Sequence, residues 1–306
     1  MNFQNIYIIG AGLIGGSLAK KVKKVFPNIS LTLVQKGDIC GTLRDFCVTS
    51  GTFLCDTTDS FADNVGADSL IILACHIEGC LNYIEKLSNT LKNKQNVYVT
   101  DVSSVKRVVC AAGEQHLPEQ FVGGHPMAGR EKGGFANSTA DLFDGKAFLL
   151  CPTAHNSQAS LAVGAFMRSL GMSVKEMDAE THDRVMAYVS HFPQLYALLI
   201  TKLLDDTPDG ERILHAHGGA LADQLRLAAS PYDMWGQVFA HNKDNLHAVL
   251  EDFAALLIKA THRLDAPEMS DWFAQANHIH QQFADYRAGL GYDPFQTSAD
   301  KKDDSA

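Results

Sequence analysis

The sequence predicts an α/β fold in which a doubly wound, mainly parallel sheet is followed by an all-helical domain. Over the first half of the 306-residue chain, short runs rich in Ile, Leu and Val alternate with helical patterns. Strands separated by helices of about 10–15 residues are typical of right-handed βαβ units. From about Ala179 onward, long amphipathic patterns replace this alternation and indicate helices alone.

Short strands are predicted in the first part of the chain, most of them bounded by Gly, Pro or polar residues. They are Ile6–Ile9, Leu31–Val34, Ser69–Leu73, Val97–Thr100, Phe121–Gly123, Ala147–Leu150 and, completing the sheet, Ser173–Met177. The helices predicted between them include Leu13–Val25, Gly79–Lys92 and Ser157–Leu170.

Long helices are predicted in the second part of the chain. They are Thr181–Leu204, Arg212–Ala228, Tyr232–Leu264 and Glu268–Ala288. The apolar face of Tyr232–Leu264 needs a partner, and a second subunit would supply one, so we expect this domain to form a homodimer. The predicted organisation is a sheet domain over 1–178, a helical substrate and dimerisation domain over 179–290, and a polar tail over 291–306 that we expect to be disordered at its end.

Charge and composition exclude several classes of protein. A formal net charge of −9 argues against nucleic-acid and membrane-surface binding, because phosphate contacts need a basic face. No stretch approaches the roughly 18 uninterrupted apolar residues of a membrane helix. The seven cysteines are irregularly spaced in the first half, which fits the reduced thiols of a cytoplasmic protein better than a disulfide framework. An anionic small molecule must then be held by a few local donors.

A glycine-rich turn follows the first predicted strand and opens the first helix. It reads Gly10-Ala11-Gly12-Leu13-Ile14-Gly15. In Rossmann-type folds the first glycine allows a tight turn, the second lets the backbone approach a pyrophosphate, and the third lets the helix pack closely on the strand. The amides of the helix N-terminus then hold the diphosphate. The residues predicted to bind a dinucleotide here are Gly10, Gly12, Leu13, Ile14 and Gly15.

The end of the second predicted strand bears on the choice between NAD and NADP. NAD-binding proteins place an Asp or Glu there to bind the ribose 2′-hydroxyl. This chain has Gln35 and Lys36 instead, with Asp38 close behind. A carboxylate would repel a 2′-phosphate, whereas a lysine attracts it. We therefore expect Gln35 and Lys36 to bind the cofactor and favour NADP, with NAD as the alternative.

Two polar segments follow later strands, at the sheet edge where doubly wound folds bind their ligands. One reads Asp101-Val102-Ser103-Ser104-Val105-Lys106, and its Asp101 is grouped with the cofactor-binding residues. The other reads His125-Pro126-Met127-Ala128-Gly129-Arg130-Glu131. Because His125 is expected in a loop between Gly and Pro residues, with no obvious core to fill, it is a candidate catalytic group.

With the glycine turn, these segments resemble the prephenate/arogenate dehydrogenase family of tyrosine biosynthesis, and the resemblance covers nearly the whole chain. It continues in the second half through His182-Asp183-Arg184, Ser190-His191-Phe192-Pro193-Gln194, Gly218-Gly219, Asp223-Gln224-Leu225-Arg226-Leu227-Ala228 and Met234-Trp235. The resemblance implies oxidative decarboxylation of arogenate or prephenate to tyrosine or 4-hydroxyphenylpyruvate, with hydride transfer to NAD(P).

The resemblance also implies a role for each matching side chain. His125 looks like the catalytic histidine that takes the proton of the ring C4 hydroxyl, a task that suits an imidazole titrating near neutral pH. Ser104 is similar to the serine that bonds the same hydroxyl or orients the histidine. Arg226 matches the arginine whose guanidinium holds the ring carboxylate bidentately. Glu131 and His182 match further residues of the substrate site.

Gln194 departs from the family pattern. Prephenate-using members commonly have His at this position, which faces the substrate side chain. Prephenate carries a keto group there and arogenate an ammonium group; a glutamine carbonyl accepts a hydrogen bond from ammonium, whereas a protonated histidine repels it. We therefore expect Gln194 to favour arogenate, or use of both substrates.

Two other functions stay open at this point. One is a β-hydroxyacid or imine dehydrogenase; such enzymes usually rely on a lysine on the helix at the domain junction, where this chain has His182. The other is a catalytically silent NAD(P)-binding sensor, for which loss of His125 or Ser104 would be the sign. A metal site is not predicted, because the His215/His217 and His278/His280 pairs are two residues apart and point to different helix faces.

Overall fold

The computed structural model describes residues 3–37, 39–55, 61–91, 94–130 and 132–289. Its strands form one eight-stranded sheet in the order β3-β2-β1-β4-β5-β6-β7-β8. The strands are β1 Asn5–Ile9, β2 Ser30–Val34, β3 Phe53–Cys55, β4 Ser69–Leu73, β5 Val97–Asp101, β6 Phe121–Pro126, β7 Ala147–Cys151 and β8 Ser173–Glu176. All neighbouring strands are parallel except β6 and β7.

Helices cover both faces of the sheet and form most of the described chain beyond β8. They are α1 Leu13–Val25, α2 Gly41–Ser50, α3 Ile77–Leu91, α4 Arg107–His116, α5 Ser157–Ser169, α6 Ala179–Met186, α7 Phe192–Asp206, α8 Gly210–His215, α9 Gly219–Ala228, α10 Tyr232–His241, α11 Lys243–Thr261 and α12 Met269–Arg287. The α/β architecture predicted from the alternating pattern is thus confirmed, as is the all-helical second half.

The central strands are buried on both faces, as parallel strands covered by helices should be. In β4 every residue is buried, and successive side chains enter two different cores. Leu70 and Ile72 pack in one core together with α1 and α5, whereas Ile71 and Leu73 pack in the other with α3. This burial explains why the strand reads as an unbroken apolar run with no polar alternation.

The one antiparallel pairing lies next to the candidate histidine. In the described part of the 20-residue connection from β6 to β7, the one helical element is a short 3-10 helix, Phe135–Asn137. The chain returns at the same sheet edge, and β7 runs antiparallel to β6. Pairing with β7 extends β6 to Pro126, and His125 pairs with Leu149. The expectation that His125 lies in a loop was therefore wrong, because His125 is the second-last residue of the strand β6.

Three elements of the first half were not predicted: α2, β3 and α4. The first combines β-branched and polar residues and buries only Leu43 and Cys47. The second is a three-residue edge strand with one exposed phenylalanine. The third begins at Arg107, directly after the Asp101–Lys106 segment.

Three of the four long helices predicted in the second half are interrupted, whereas Glu268–Ala288 is confirmed as the unbroken helix α12. Thr181–Leu204 is divided by a π-helical turn, Ala187–His191, and Pro193 lies in the first turn of α7. Arg212–Ala228 is broken before Gly218 and Gly219. Tyr232–Leu264 breaks at Asn242, whose side chain is fully buried and bonded to neighbouring segments. The amphipathic period continues across these breaks, so the pattern could not locate them.

The chain divides into two compact units, Met1–Leu246 and His247–Ala306. The helices α6 to α10 belong to the same unit as the sheet. The predicted tail over 291–306 lies outside the described residues. Within the described ranges, no helix has the length and apolar character that a membrane crossing would require.

Candidate active site

The glycine-rich turn has the geometry that dinucleotide binding needs. Gly10 has a φ of 100°, and a β-carbon there would lie 2.4 Å from the carbonyl oxygen of Ala74. At Gly15 a β-carbon would lie 1.9 Å from the Gly10 oxygen, so only glycine lets α1 pack this close to the turn. Gly12, by contrast, faces open space. The turn therefore leaves room for a phosphate at the N-terminus of α1.

Gln35 closes the other side of this turn. Its Oε1 accepts a hydrogen bond of 2.7 Å from the amide of Ala11, and its Nε2 donates to the carbonyl of Lys36. The Gln35 side chain is therefore oriented against the cofactor turn without carrying a charge. Lys36 is exposed at the carboxyl end of β2. The residues present fit NAD(P), whose nicotinamide supplies hydride acceptance when the cofactor is bound.

Asp101 lies in the interior of the protein. Its side chain is completely buried, and its carboxylate accepts hydrogen bonds from the amide of Ser103, from the ammonium of Lys106 and from the amide of Gly124. Asp101, grouped with the cofactor-binding residues from the sequence, thus has both carboxylate oxygens bonded to protein groups. The hydroxyl of Ser103 also bonds to Asp101. Ser104, half-buried, is thus the serine that stays available for the site.

His125 stands at the carboxyl end of β6 in contact with His182. The Nδ1 of His125 and the Nε2 of His182 are 3.0 Å apart, and the Nδ1 of His182 is 2.8 Å from the Oδ1 of Asp183. His125 keeps 8% of its surface exposed, whereas His182 and Asp183 keep none. His182, assigned to the substrate site from the sequence, thus has both of its ring nitrogens bonded to protein groups.

The protonation of these three groups follows from their surroundings. Burial lowers the pKa of His125 well below its usual range, and His182 and Lys106 act in the same direction. Burial also lowers the pKa of His182, although Asp183 opposes the fall. Burial would raise the pKa of Asp183, but hydrogen bonds from His182 and from main-chain amides outweigh it, so the carboxyl pKa is lowered. At neutral pH the carboxylate is ionised and both imidazoles are neutral.

Asp183 is fixed in place by the start of α4. Its Oδ1 accepts from the amide of Lys106 at 2.7 Å and its Oδ2 from the amide of Arg107 at 2.9 Å. These are the amides that a helix N-terminus leaves without a partner inside the helix. The Arg107 guanidinium adds a contact of 3.4 Å to the same carboxylate and binds Asp244. The carboxylate therefore cannot turn away from His182 without breaking these bonds.

Two buried residues near this network were missed as site residues. Asn242 donates to the carbonyl of Asp183 at 2.7 Å and to Nδ1 of His191 at 2.9 Å. Its own Oδ1 accepts from Arg107 and Asn245. His191 is completely buried, and burial lowers its pKa to about 4. A buried polar residue at a helix break was the available signal for Asn242, but the break itself was not visible in the pattern.

The remaining predicted residues lie on the helices α7 and α9. Gln194 is buried and donates from Nε2 to the carbonyl of Leu227 at 3.0 Å, which leaves its Oε1 as an acceptor. Arg226, the neighbour of Leu227, is half-exposed, and its Nε lies 3.8 Å from Asp223. The structure thus brings His125 to His182, and separately brings Gln194 to the turn that carries Arg226. Glu131 lies outside the described residues.

The glycine turn and the buried histidine at the same carboxyl edge of the sheet fit a nicotinamide-dependent dehydrogenase. Two family models match the chain: "Prephenate dehydrogenase, nucleotide-binding domain" over residues 19–175 and "Prephenate dehydrogenase, dimerization domain" over residues 178–278. The chain belongs to the prephenate dehydrogenase family. It is therefore an NAD(P)-dependent oxidoreductase of oxidative decarboxylation in tyrosine biosynthesis, as the resemblance of its motifs implied.

Individual relatives agree with this assignment. The chain is 30% identical to the prephenate dehydrogenase of Bacillus subtilis over 93% of its own length and 76% of that protein. It is also 30% identical to the cyclohexadienyl dehydrogenase of Zymomonas mobilis, over 84% and 87% of the two chains. A crystal structure of prephenate dehydrogenase from Aquifex aeolicus, in complex with hydroxyphenyl propionate and NAD+, matches with a TM-score of 0.79 and 27% identity over 92% and 99% of the chains.

Proposed function

We propose that this enzyme oxidises arogenate in preference to prephenate, or uses both, and that it favours NADP over NAD. The observation that carries the reaction is His125, a neutral imidazole at the carboxyl edge of the sheet, where the dinucleotide turn also lies. When the cofactor is bound, its nicotinamide accepts the hydride from C4. The chain's task is to take the C4 hydroxyl proton, and a neutral imidazole in a buried site is suited to it.

The substrate is an anion in a protein of net negative charge, so it needs local cations and donors. We assign Arg226 to the ring carboxylate, because a guanidinium pairs with a carboxylate through two parallel hydrogen bonds. We assign Ser104 to the C4 hydroxyl, since Ser103 is already bound to Asp101. Glu131 keeps its proposed place in the substrate site on the strength of the motif alone.

The choice of arogenate rests on Gln194. Its amide nitrogen donates to the Leu227 carbonyl, which turns the oxygen of the same amide away from that carbonyl. An oxygen acceptor suits the ammonium group of arogenate and offers nothing to the keto group of prephenate, which is itself an acceptor. The Leu227 contact thus supports an acceptor role for Gln194.

The choice of NADP rests on the end of β2. Gln35 contributes no negative charge beside the turn, and Lys36 is exposed and free to approach a 2′-phosphate. The turn formed by Gly10, Gly12 and Gly15 holds the diphosphate together with the amides of Leu13 and Ile14, as proposed from the sequence.

We further propose that the enzyme is a cytoplasmic homodimer built through its helical part, with the functional domains divided near residue 178. On α11 and α12, large apolar side chains are exposed in the single chain. They include Leu256, Leu257, Ile258, Phe273, Ile279 and Phe283. Burial of such a face against a second copy would remove it from water. Sedimentation of the purified enzyme at micromolar concentration should give the mass of two chains, and a single-chain mass would contradict this proposal.

Steady-state kinetics on four combinations, arogenate or prephenate with NADP or NAD, test the proposed reaction. We expect reduced cofactor at 340 nm and one CO₂ released per turnover, with the highest kcat/KM for arogenate and NADP. His125→Asn should lower kcat by about 10²- to 10⁴-fold while the cofactor still binds. Absence of reduced cofactor with both acids would contradict the proposal.

A further inference from the structure

We infer that Asp183 and His182 act as positioning residues: they fix His125 in the tautomer that carries its proton on Nδ1 and presents a bare Nε2 to the substrate hydroxyl. This inference rests on the proposed function for the identity of the hydroxyl. The observation behind it is the unbroken line of contacts from Asp183 through His182 to His125, at 2.8 and 3.0 Å.

The direction of each hydrogen bond in this line follows from its far end. Asp183 is an ionised carboxylate that already accepts from two main-chain amides, and it has no proton to give. The Nδ1 of His182 must therefore carry the proton and donate it to Asp183. In a neutral imidazole only one nitrogen carries hydrogen, so Nε2 of His182 is an acceptor.

The same reasoning passes to His125. Since Nε2 of His182 accepts, Nδ1 of His125 carries the proton and donates it. The Nε2 of His125 is then the unprotonated nitrogen of a neutral ring, and no hydrogen bond to another described residue occupies it. The opposite tautomer would place two lone pairs against each other 3.0 Å apart, inside a buried site where neither could reach water.

This arrangement also accounts for the C4 hydroxyl proton at each step of the reaction. The O–H bond at C4 breaks as a bond forms between that proton and Nε2 of His125, and the oxygen keeps the electron pair. That pair forms the C4–O double bond as the hydride leaves C4 for the nicotinamide. When CO₂ leaves C1, its bonding pair aromatises the ring and the proton returns from His125 to the phenolate oxygen. Throughout, Nδ1–H stays bonded to His182, and Asp183 supplies the compensating negative charge.

Several charged or titratable groups surround His125 and set the pH at which it is active. His182 and Asp183 approach from α6, Lys106 and its partner Asp101 from β5 and the start of α4, and His191 from the π-helical turn. Both Asp183 and Asp101 raise the pKa of His182, and Asp183, which is hydrogen-bonded to its ring, has the larger effect. Removal of Asp183 should lower the pKa of the histidine pair, whereas replacement of His182 by a neutral residue removes a group that lowers the pKa of His125.

The tautomer can be read directly by ¹⁵N NMR of histidine-labelled enzyme, without substrate or turnover. His125→Asn identifies the His125 ring signals by their loss. In the native enzyme we expect Nδ1 of His125 to be protonated and Nε2 to be bare at pH 7.5. In Asp183→Asn and His182→Gln we expect both tautomers to be populated. A native ring that carries its proton on Nε2 would overturn the inference, even if the enzyme turned over neither acid.

Kinetics provide the second reading. Asp183→Asn and His182→Gln should each lower kcat at least 100-fold with KM changed less than threefold. The acid limb of the kcat profile should move to lower pH in Asp183→Asn and to higher pH in His182→Gln. If Asp183→Asn does not fold, His182→Gln, which leaves the bonds of Asp183 to α4 intact, decides alone. A fall in kcat with no displacement of the acid limb, or no fall in kcat, would overturn the inference.

Discussion

The carboxylate of Asp101 and the ammonium of Lys106 form a fully buried ion pair that holds both main-chain polar groups of Gly124. Asp101 accepts from the Gly124 amide at 3.0 Å, and Lys106 donates to the Gly124 carbonyl at 2.8 Å. Burial opposes ionisation of Lys106, but Asp101 and neighbouring groups outweigh it and raise its pKa. Because Gly124 precedes His125, the pair fixes the strand end on which the histidine stands.

Removal of one partner of this pair should therefore destabilise the enzyme and misplace His125. Asp101→Asn leaves an unpaired buried ammonium, and we expect a loss of about 3–5 kcal/mol in the free energy of unfolding, measured in urea. The surviving folded protein should show lower kcat with cofactor binding retained. Lys24→Met, which breaks the exposed pair of Lys24 with Asp141, is the matched control and should change little. Equal stability of Asp101→Asn and the native enzyme would contradict this account.

The contrast between Gly10 and His125 shows which parts of the site could be predicted from sequence. The turn at Gly10 was predictable because its chemistry is local: strand, glycine spacing and helix lie within one continuous segment, and α1 was predicted to the residue. The environment of His125 was not, because antiparallel pairing with β7 and contact with His182 join segments far apart in the chain. Motif matching pointed to His182 but could not show that both of its ring nitrogens are bonded to protein groups.

The helix breaks of the second half could not be predicted from the local sequence for the same reason. Residues 232 to 264 keep an apolar period through Asn242, and nothing local requires a break there. The break exists because Asn242 is drawn into the core by bonds to the Asp183 carbonyl and to His191. Tertiary contacts of this kind override local propensity.

His191 predicts how stability depends on pH. Its pKa is about 4 in the folded protein against 6.5 in the unfolded chain, so the unfolded state binds more protons between these values. The stabilisation is fully present above pH 6.5 and is lost as the pH falls towards 4, by about 3 kcal/mol for this one group. His125 and His182, whose pKa values are also lowered, add to the loss in the same direction.

Urea unfolding at several pH values checks this dependence. His191→Asn should reduce the slope of the unfolding free energy against pH between 6.5 and 4, whatever its effect at pH 7.5. His278→Gln, a substitution of an exposed histidine on α12, should leave the slope as it is in the native enzyme. An unchanged slope in His191→Asn would show that this ring is not held neutral by burial.

Substitution of Gln194 should change which acid the enzyme prefers. Gln194→His replaces a carbonyl acceptor by a ring that donates when protonated, so the ratio of kcat/KM for prephenate over arogenate should rise by about tenfold or more, corresponding to roughly 1.4 kcal/mol of differential binding. The matched control is Gln120→His. Gln120 also donates to a main-chain carbonyl, that of Leu91, but it lies just before the amino end of β6, whereas His125 lies at the carboxyl end. An unchanged ratio in Gln194→His would remove this residue from the choice of substrate.

The cofactor preference should depend on Lys36 and Gln35. Lys36→Ala removes a cation from the proposed 2′-phosphate site, so KM for NADP should rise about tenfold while KM for NAD changes little. Gln35→Glu places a carboxylate beside the turn that Gln35 already contacts through Ala11, and should favour NAD by binding the ribose hydroxyl and repelling a phosphate. Lys146→Ala, on an exposed lysine before β7, is the control for loss of charge alone. If Lys36→Ala raised the KM values for NADP and NAD equally, Lys36 would attract both cofactors through its charge alone. A preference for NADP would then have to come from another residue.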